Sequence, residues 1–285
     1  MPELPEVEIV RQSLNRQVKN RKIISIQVNN RNLRLKVPNN FEQIFKNAVI
    51  KKIQRKSKYL ILVFNNHLYC VIHLGMSGTL HFMGLKKKTT NLSFYGSQSL
   101  PKKHNHIIFR FKNFKLIYND PRRFGFFKIL KNKSDYLKFF TRIGPEAISK
   151  EFNKTYLSKI LKNRTKNIKN LLLDQKLVSG LGNIYVNEIL FQAKINPFKK
   201  SYLINLEENK RIVKYSKIIL KKAIDFGGSS IRDFKGITGK SGNFQSEFKV
   251  YDRTKKRCSR NNCSGQISRK IISNRSTFIC SVCQK

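Results

Sequence analysis

No apolar run in this 285-residue chain is long enough to cross a bilayer. The longest, residues 59–64 and 68–74, have the length of single strands, whereas a spanning helix needs about 20 apolar residues. No charged-then-apolar leader opens the sequence, so a cytoplasmic protein with no membrane partner is expected. Acidic residues are scarce as well: 16 Asp and Glu stand against 59 Lys and Arg, a formal net charge of +43 and a pI near 10.4. That excess goes far beyond what solubility requires and points to a polyanion, nucleic acid first. Lys, Asn, Ile and Phe are abundant together, as AT-rich coding would produce, so the sign of the charge says more than its size. Cysteine is sparse. Of five, Cys70 sits in the apolar run 68–74 and reads as a small buried residue, while four crowd the C-terminus, which in a reducing compartment favours a metal over disulfides. There is no internal repeat. Hydrophobic residues make up 40% of the chain, enough to exclude wholesale disorder and to fill the core of one large or two to three small domains.

Branched and aromatic residues dominate 23–28, 59–64, 68–74, 107–111, 114–118 and 126–130, which predicts six or more short strands in a sandwich or flattened barrel. Asn65-Asn66 and Lys112-Asn113 are placed as tight hairpin turns. The texture changes near Arg142-Ile143-Gly144-Pro145, a boundary between lobes. From Thr155 helical spacing takes over, with Leu157, Ile160, Leu161, Ile168, Leu171 and Leu172 as apolar stripes. A further helix starts at Asn205, with Glu208 completing a capping box, and runs to Phe226, where Gly227-Gly228 stops it. Three glycines within 229–243 predict a mobile loop, and residues 86–106 read as an exposed polar excursion.

Four constellations carry chemistry. If Met1 is trimmed, Pro2 presents a secondary amine with a pKa near ~8, partly neutral at physiological pH. Its attack on a sugar or carbonyl carbon gives an iminium, an electron sink. Glu3 adjoins that nitrogen and Glu6 follows within one helical turn, as proton donors and acceptors. The same residues also read as an ordinary helix start: Pro5 at the first position, Glu6 and Glu8 at the positive end, and Val7, Val10 and Leu14 on one face. Cys258 and Cys263, then Cys280 and Cys283, offer four thiolates to a tetrahedral zinc with no open position, supporting a hairpin that carries Arg269, Lys270 and Arg275. Residues 174–185 read as helix, glycine-pinched turn and helix. The amides of the second helix and the Asn183 side chain form either a phosphate seat or part of a plain helical hairpin. Finally, His73-Leu74-Gly75-Met76-Ser77-Gly78 and Asp120-Pro121-Arg122-Arg123-Phe124-Gly125 put bulky side chains at turn tips, either as wedges for a base stack or as packing between lobes.

Together these motifs, over almost the whole length, make the chain resemble the formamidopyrimidine-DNA glycosylases. The resemblance rests on the Pro2-Glu3-Leu4-Pro5-Glu6-Val7-Glu8 opening, the two turns, Gly180-Leu181-Gly182-Asn183-Ile184-Tyr185 and the four cysteines. It implies a multidomain α+β fold: an N-terminal β-sandwich with a leading helix over 1–135, a linker over 136–150, a helical domain with a helix-two-turn-helix motif and a lesion-recognition loop over 151–248, and a zinc-finger β-hairpin over 249–285. It also implies a monomeric bifunctional glycosylase and lyase of base excision repair. Such an enzyme acts on 8-oxoguanine, formamidopyrimidines and abasic sites in double-stranded DNA lying between lobes, with one structural Zn2+. By the same resemblance Pro2 attacks C1′ and Glu3 supplies a proton for ring opening. Lys58 moves a proton in β-elimination, and Arg275 grips phosphate and serves the second elimination. His104, Arg122, Arg123, Arg164 and Asn183 contact DNA, and Met76, Arg122 and Phe124 fill the void left by an extruded nucleotide. Glu6 and Glu188 fall at acidic positions near the active centre. Two features depart from the family pattern: the first zinc knuckle is two residues longer than CxxC, and Arg164 stands where lysine is common. The alternatives are an endonuclease VIII-type enzyme for oxidised pyrimidines, which usually opens ProGluGlyPro where this chain has Leu4, and a non-catalytic DNA-binding relative, which retention of Pro2, Glu3, Lys58 and Arg275 disfavours.

Overall fold

The computed structural model describes residues 2–84, 89–91, 100–229 and 243–285. All but the two end residues of the loop expected over 229–243, and much of the polar excursion over 86–106, lie outside them. The described residues fall into two compact units: those of Met1–Thr141 with those of Phe226–Asn243, and those of Arg142–Asp225 with Phe244–Lys285. No helix among them is long and apolar enough to cross a membrane.

The first unit opens with helix α1 (Leu4–Val18), whose buried Leu4, Val7, Val10, Leu14 and Val18 recur at helical spacing. Strands β1 (Ser25–Val28), β2 (Ile50–Lys56), β3 (Tyr59–Phe64), β4 (Tyr69–His73), β5 (Thr79–Gly84), β6 (Thr89–Asn91), β7 (Asn105–Arg110), β8 (Phe114–Asn119) and β9 (Phe126–Leu130) follow, with a one-turn helix α2 (Phe41–Phe45) between the first two. They build a four-stranded sheet, β2-β3-β4-β9, and a five-stranded sheet, β1-β7-β8-β5-β6. Both sheets bury apolar side chains in one core with α1 and α2, from Ile53, Leu62 and Ile72 on one side to Leu80, Phe109 and Leu116 on the other. Phe41 meets Phe45, Phe109 and Phe127 edge-on inside it. The chain crosses from the four-stranded to the five-stranded sheet at β4–β5 and back at β8–β9. Because His73 faces Phe126 in one sheet and Thr79 faces Asn119 in the other, these two crossings run side by side. Lys112-Asn113 forms the expected two-residue turn, Phe111 N–H donating to the Phe114 carbonyl at 2.9 Å. The turn at Asn65 and Asn66 takes in a third residue, His67, at φ +63°. Helix α3 (Lys133–Phe140) ends this part of the unit.

The second unit contains α4 (Lys154–Leu161), α5 (Ile168–Leu173), α6 (Asn183–Gln192), α7 (Leu206–Asp225) and a hairpin of β10 (Ile267–Ile272) and β11 (Arg275–Cys280). Asparagine caps three of its helices. Asn153 accepts from Tyr156 N–H and Asn167 from Asn170 N–H, while Asn205 and Glu208 form the expected reciprocal box at 2.9 and 3.0 Å. The predicted stripes Leu157, Ile160, Leu161, Ile168, Leu171 and Leu172 all face its core. The expected α+β architecture, sheets first, helices next and a cysteine-bearing hairpin last, is the one observed.

Candidate functional site

In the first unit Pro2 and Glu3 are both buried at the start of α1. Glu3 is the N-cap, and its carboxylate accepts the Glu6 amide while Glu6 Oε2 accepts the Glu3 amide at 3.0 Å. This capping box was not anticipated, and Pro5 falls at the second helical position rather than the first. Glu6 has a second engagement: Oε1 accepts the amide and the hydroxyl of Ser229 at 2.9 and 2.8 Å. Gly228, at φ +80°, lies against Glu6 where a Cβ would touch its Cγ at 3.5 Å. Ser229 also bridges Asn243, so the two described ends of the 229–243 segment are held together beside Glu6. Ser229 had no catalytic motif to mark it; its only signal was the glycine pair before it.

Lys58 is buried in the turn between β2 and β3, which Ser57 enters at φ +55°. Arg55 ties that turn to α1, donating to the Ser57 carbonyl and to Glu8 at 3.0 Å each. Burial works to raise the Glu8 pKa, but the hydrogen bonds and charges of Arg11 and Arg55 outweigh it and leave the group below its ordinary value. Near Lys58 lies His73, whose pKa falls to about 4, through burial first and then the Lys58 and Arg34 cations. The imidazole is therefore neutral at physiological pH, with Nδ1 accepting the Gly75 amide at 3.0 Å.

The two sheet crossings carry the other predicted residues of this unit. Met76, Arg122, Arg123 and Phe124 are exposed at their tips, and the Arg122 guanidinium lies 4.6 Å over the Phe124 ring. Arg123 takes φ +56°. His104 stands alongside, its carbonyl accepting the Asp120 amide at 3.0 Å.

In the second unit Gln175 staples the turn between α5 and α6, donating to Leu173 and Leu181 and accepting from Gly180, which sits at φ +92°. The Asn183 side chain, expected to contribute to a phosphate seat, donates to the Ser276 carbonyl at 2.9 Å. The buried Lys169 ammonium donates to the same carbonyl and to Thr277 Oγ1, both at 2.8 Å, and Asn187 accepts the Phe278 amide at 2.8 Å. Three helical side chains thus grip β11 just beyond the exposed Arg275. Sequence reasoning did not single out Lys169 or Asn187, which look like ordinary polar residues on apolar helices. Glu188, expected near the active centre, accepts the amides of Lys249, Val250 and Tyr251 at 2.8–3.0 Å. Burial raises its pKa against those three bonds. Arg164 follows α4 and is half-buried.

The four C-terminal cysteines converge, with all Sγ atoms within 4.8 Å of one another. Cys258 and Cys283 are 3.8 Å apart and Cys263 and Cys280 are 3.6 Å apart, against the ~3.8 Å edge of a tetrahedron with metal–sulfur bonds of ~2.3 Å. The donors and their spacing therefore fit a zinc ion. The longer first knuckle is absorbed by Arg260, which stacks on Phe191 at 4.6 Å and donates to the Phe191 and Gln192 carbonyls in the last turn of α6.

Two family models match this chain: the N-terminal domain of formamidopyrimidine-DNA glycosylase over residues 1–127 and its H2TH domain over 143–235. The chain is 39% identical to the formamidopyrimidine-DNA glycosylase of Wolbachia pipientis from Culex pipiens and 38% identical to that of Roseobacter denitrificans, each over the full length of both proteins. Among solved structures it is similar to Lactococcus lactis Fpg in complex with abasic-site DNA, with TM-score 0.87, 35% identity and 99% of each chain covered. The same protein in complex with DNA containing an oxidised pyrimidine also matches, with TM-score 0.87, 34% identity and all of both chains covered.

Proposed function

Since the chain belongs to the formamidopyrimidine-DNA glycosylase family, we propose that it excises oxidised purines from double-stranded DNA and then cleaves the strand through a covalent intermediate at Pro2. With Met1 removed, the Pro2 nitrogen attacks C1′ of the damaged nucleotide. The glycosidic bond breaks and the base leaves with its electron pair, protonated in exchange for the proton the Pro2 nitrogen sheds; that nitrogen's lone pair then opens the sugar to the iminium as Glu3 gives a proton to the ring oxygen. The resulting iminium acidifies the C2′ proton. Loss of that proton expels the 3′ phosphate, a second elimination expels the 5′ phosphate, and hydrolysis frees the enzyme. Lys58 serves the first elimination and phosphate contact; Arg275 serves phosphate contact and the second elimination. His104, Arg122, Arg123, Arg164 and Asn183 contact DNA, while Met76, Arg122 and Phe124 occupy the vacated space. Cys258, Cys263, Cys280 and Cys283 hold one structural zinc ion, which supplies cross-linking of the hairpin rather than chemistry.

One observation chiefly supports this reading: Pro2 and Glu3 are buried together at the start of α1, with the Glu3 carboxylate already oriented by the Glu6 amide. The burial of Lys58 close to His73, whose pKa is lowered by burial first and then by the Lys58 and Arg34 charges, adds to it.

The test is borohydride trapping on an 8-oxoguanine duplex, followed by peptide mapping. A single adduct on Pro2 is expected. Absence of an adduct would leave the non-catalytic binder, and thymine glycol cut much faster than 8-oxoguanine would favour the pyrimidine-directed reading.

A further inference from the structure

The two wedge-bearing turns share one buried carboxylate. Asp120 is fully buried, and its side chain accepts four hydrogen bonds. Oδ2 takes the Tyr118 hydroxyl and the Gly125 amide, both at 2.9 Å. Oδ1 takes the Arg122 amide at 3.2 Å and the Ser77 hydroxyl at 2.5 Å. Three of these donors belong to β8 or to the Asp120 turn itself. Ser77 comes from the other crossing, one residue from Met76, and its Oγ also accepts the Arg122 amide at 3.3 Å.

The space around this link is closed. A Cβ on Gly75 would stand 2.5 Å from the Gly125 nitrogen, one on Gly78 2.6 Å from the Tyr118 hydroxyl, and one on Gly125 1.9 Å from that hydroxyl. Glycines thus let the two turns touch, backbone against backbone, and a charge-assisted bond fixes their registry. The turn tips remain exposed, Met76 at 46% and Phe124 at 43%. The contacts that hold them lie at half-buried Ser77 and fully buried Asp120.

We propose that Ser77 and Asp120 are positioning residues that latch the Met76 turn to the Arg122–Phe124 turn, so that the three side chains enter the base stack as one preformed wedge. This rests on the void-filling reading of those tips. Without the latch each turn must find its bound arrangement during insertion, so extrusion slows while the chemistry at Pro2 does not.

The experiment follows stopped-flow fluorescence of 2-aminopurine placed beside the lesion in a duplex, with the full-length protein and its Ser77→Ala, Ser77→Thr and Met76→Ala variants. Ser77→Ala should slow the fluorescence rise about tenfold, consistent with one hydrogen bond to a charged group. Ser77→Thr, which keeps the hydroxyl, should restore it. Borohydride trapping on a single-stranded abasic oligonucleotide, which needs no extrusion, should be unchanged in both Ser77 variants and also reports that they fold. If Met76→Ala leaves the rise unaltered, the wedge reading itself falls and the latch with it. If Met76→Ala slows the rise while Ser77→Ala does not, the wedge stands and the latch is wrong. Equal slowing by Ser77→Ala and Ser77→Thr, or loss of trapping in either, would also overturn it.

Discussion

At the scale of single residues, burial turns ordinary side chains into constrained ones. His73 and His81 are both buried, and burial brings each pKa from 6.5 down to about 4. The folded state therefore keeps both neutral in a range where the unfolded chain protonates them. Between about pH 6.5 and 4 the unfolded chain binds more protons, so stability rises with pH. Their contribution is complete above pH 6.5 and is lost as the pH falls towards 4. A pKa difference of that size corresponds to up to about 2 kcal/mol per histidine between pH 8 and pH 5. Urea unfolding of the first unit's transition should show that loss, and a His73→Gln, His81→Gln double variant should flatten it; a parent protein equally stable at both pH values would contradict the argument. The sequence reveals the chemistry of a residue better than its partners. Pro2, Glu3 and Lys58 stood out by type and motif, whereas the pairing of Glu6 with Ser229 joins residues far apart in the chain and leaves no local trace.

At the scale of elements, legibility followed how cleanly apolar periodicity survived. Strands β3, β7, β8 and β9 are branched and aromatic, and their apolar runs mark them to within a residue or two. In β2 a register irregularity between Ile50 and Lys52 breaks the two-residue alternation, so its buried residues Ile50 and Ile53 stand three apart among lysines. In β5 Leu80 and Phe82 face the core, while Thr79 and His81 on the opposite face are buried as well and bond each other at 2.8 Å, so half of a buried strand hides behind hydrophilic letters. The β10–β11 hairpin shows a different dependence. Its own cluster holds few buried side chains, chiefly Phe191, Val250, Ile267 and Phe278 around Cys258, Cys263 and Cys280. A core that small needs a cross-link. With zinc in the four-cysteine site as proposed, removing it with a chelator should speed hydrogen exchange of the β10 and β11 amides by at least tenfold and weaken DNA binding, while the β3 and β4 amides keep their protection. Unchanged exchange after verified metal loss would show that the grip of Lys169, Asn183 and Asn187 on β11 suffices alone.

At the scale of the whole molecule, charge is the property the sequence states most loudly and explains least. The chain carries 59 basic residues, yet only cations that replace counterions on phosphate contribute to salt-dependent affinity; a lysine elsewhere on the surface keeps its own ion atmosphere. A complex that neutralises six to ten phosphates would give a slope of log K against log salt of roughly −5 to −9, a loss of about 10³–10⁵ between 50 and 200 mM. That range, rather than one scaled to the net charge, is the expectation for undamaged duplex, measured by fluorescence anisotropy. On the proposed reading, insertion of Met76 and Phe124 and capture of an extruded nucleotide would depend on packing and release few further ions. The slope for lesion-bearing duplex should therefore be nearly the same, with the discrimination between the two duplexes preserved as salt rises. A slope shallower than about −3 would mean that the basic surface is compositional drift with little role in binding. A discrimination ratio that collapses with salt would mean that recognition of the lesion is itself electrostatic, leaving the exposed apolar tips without a function.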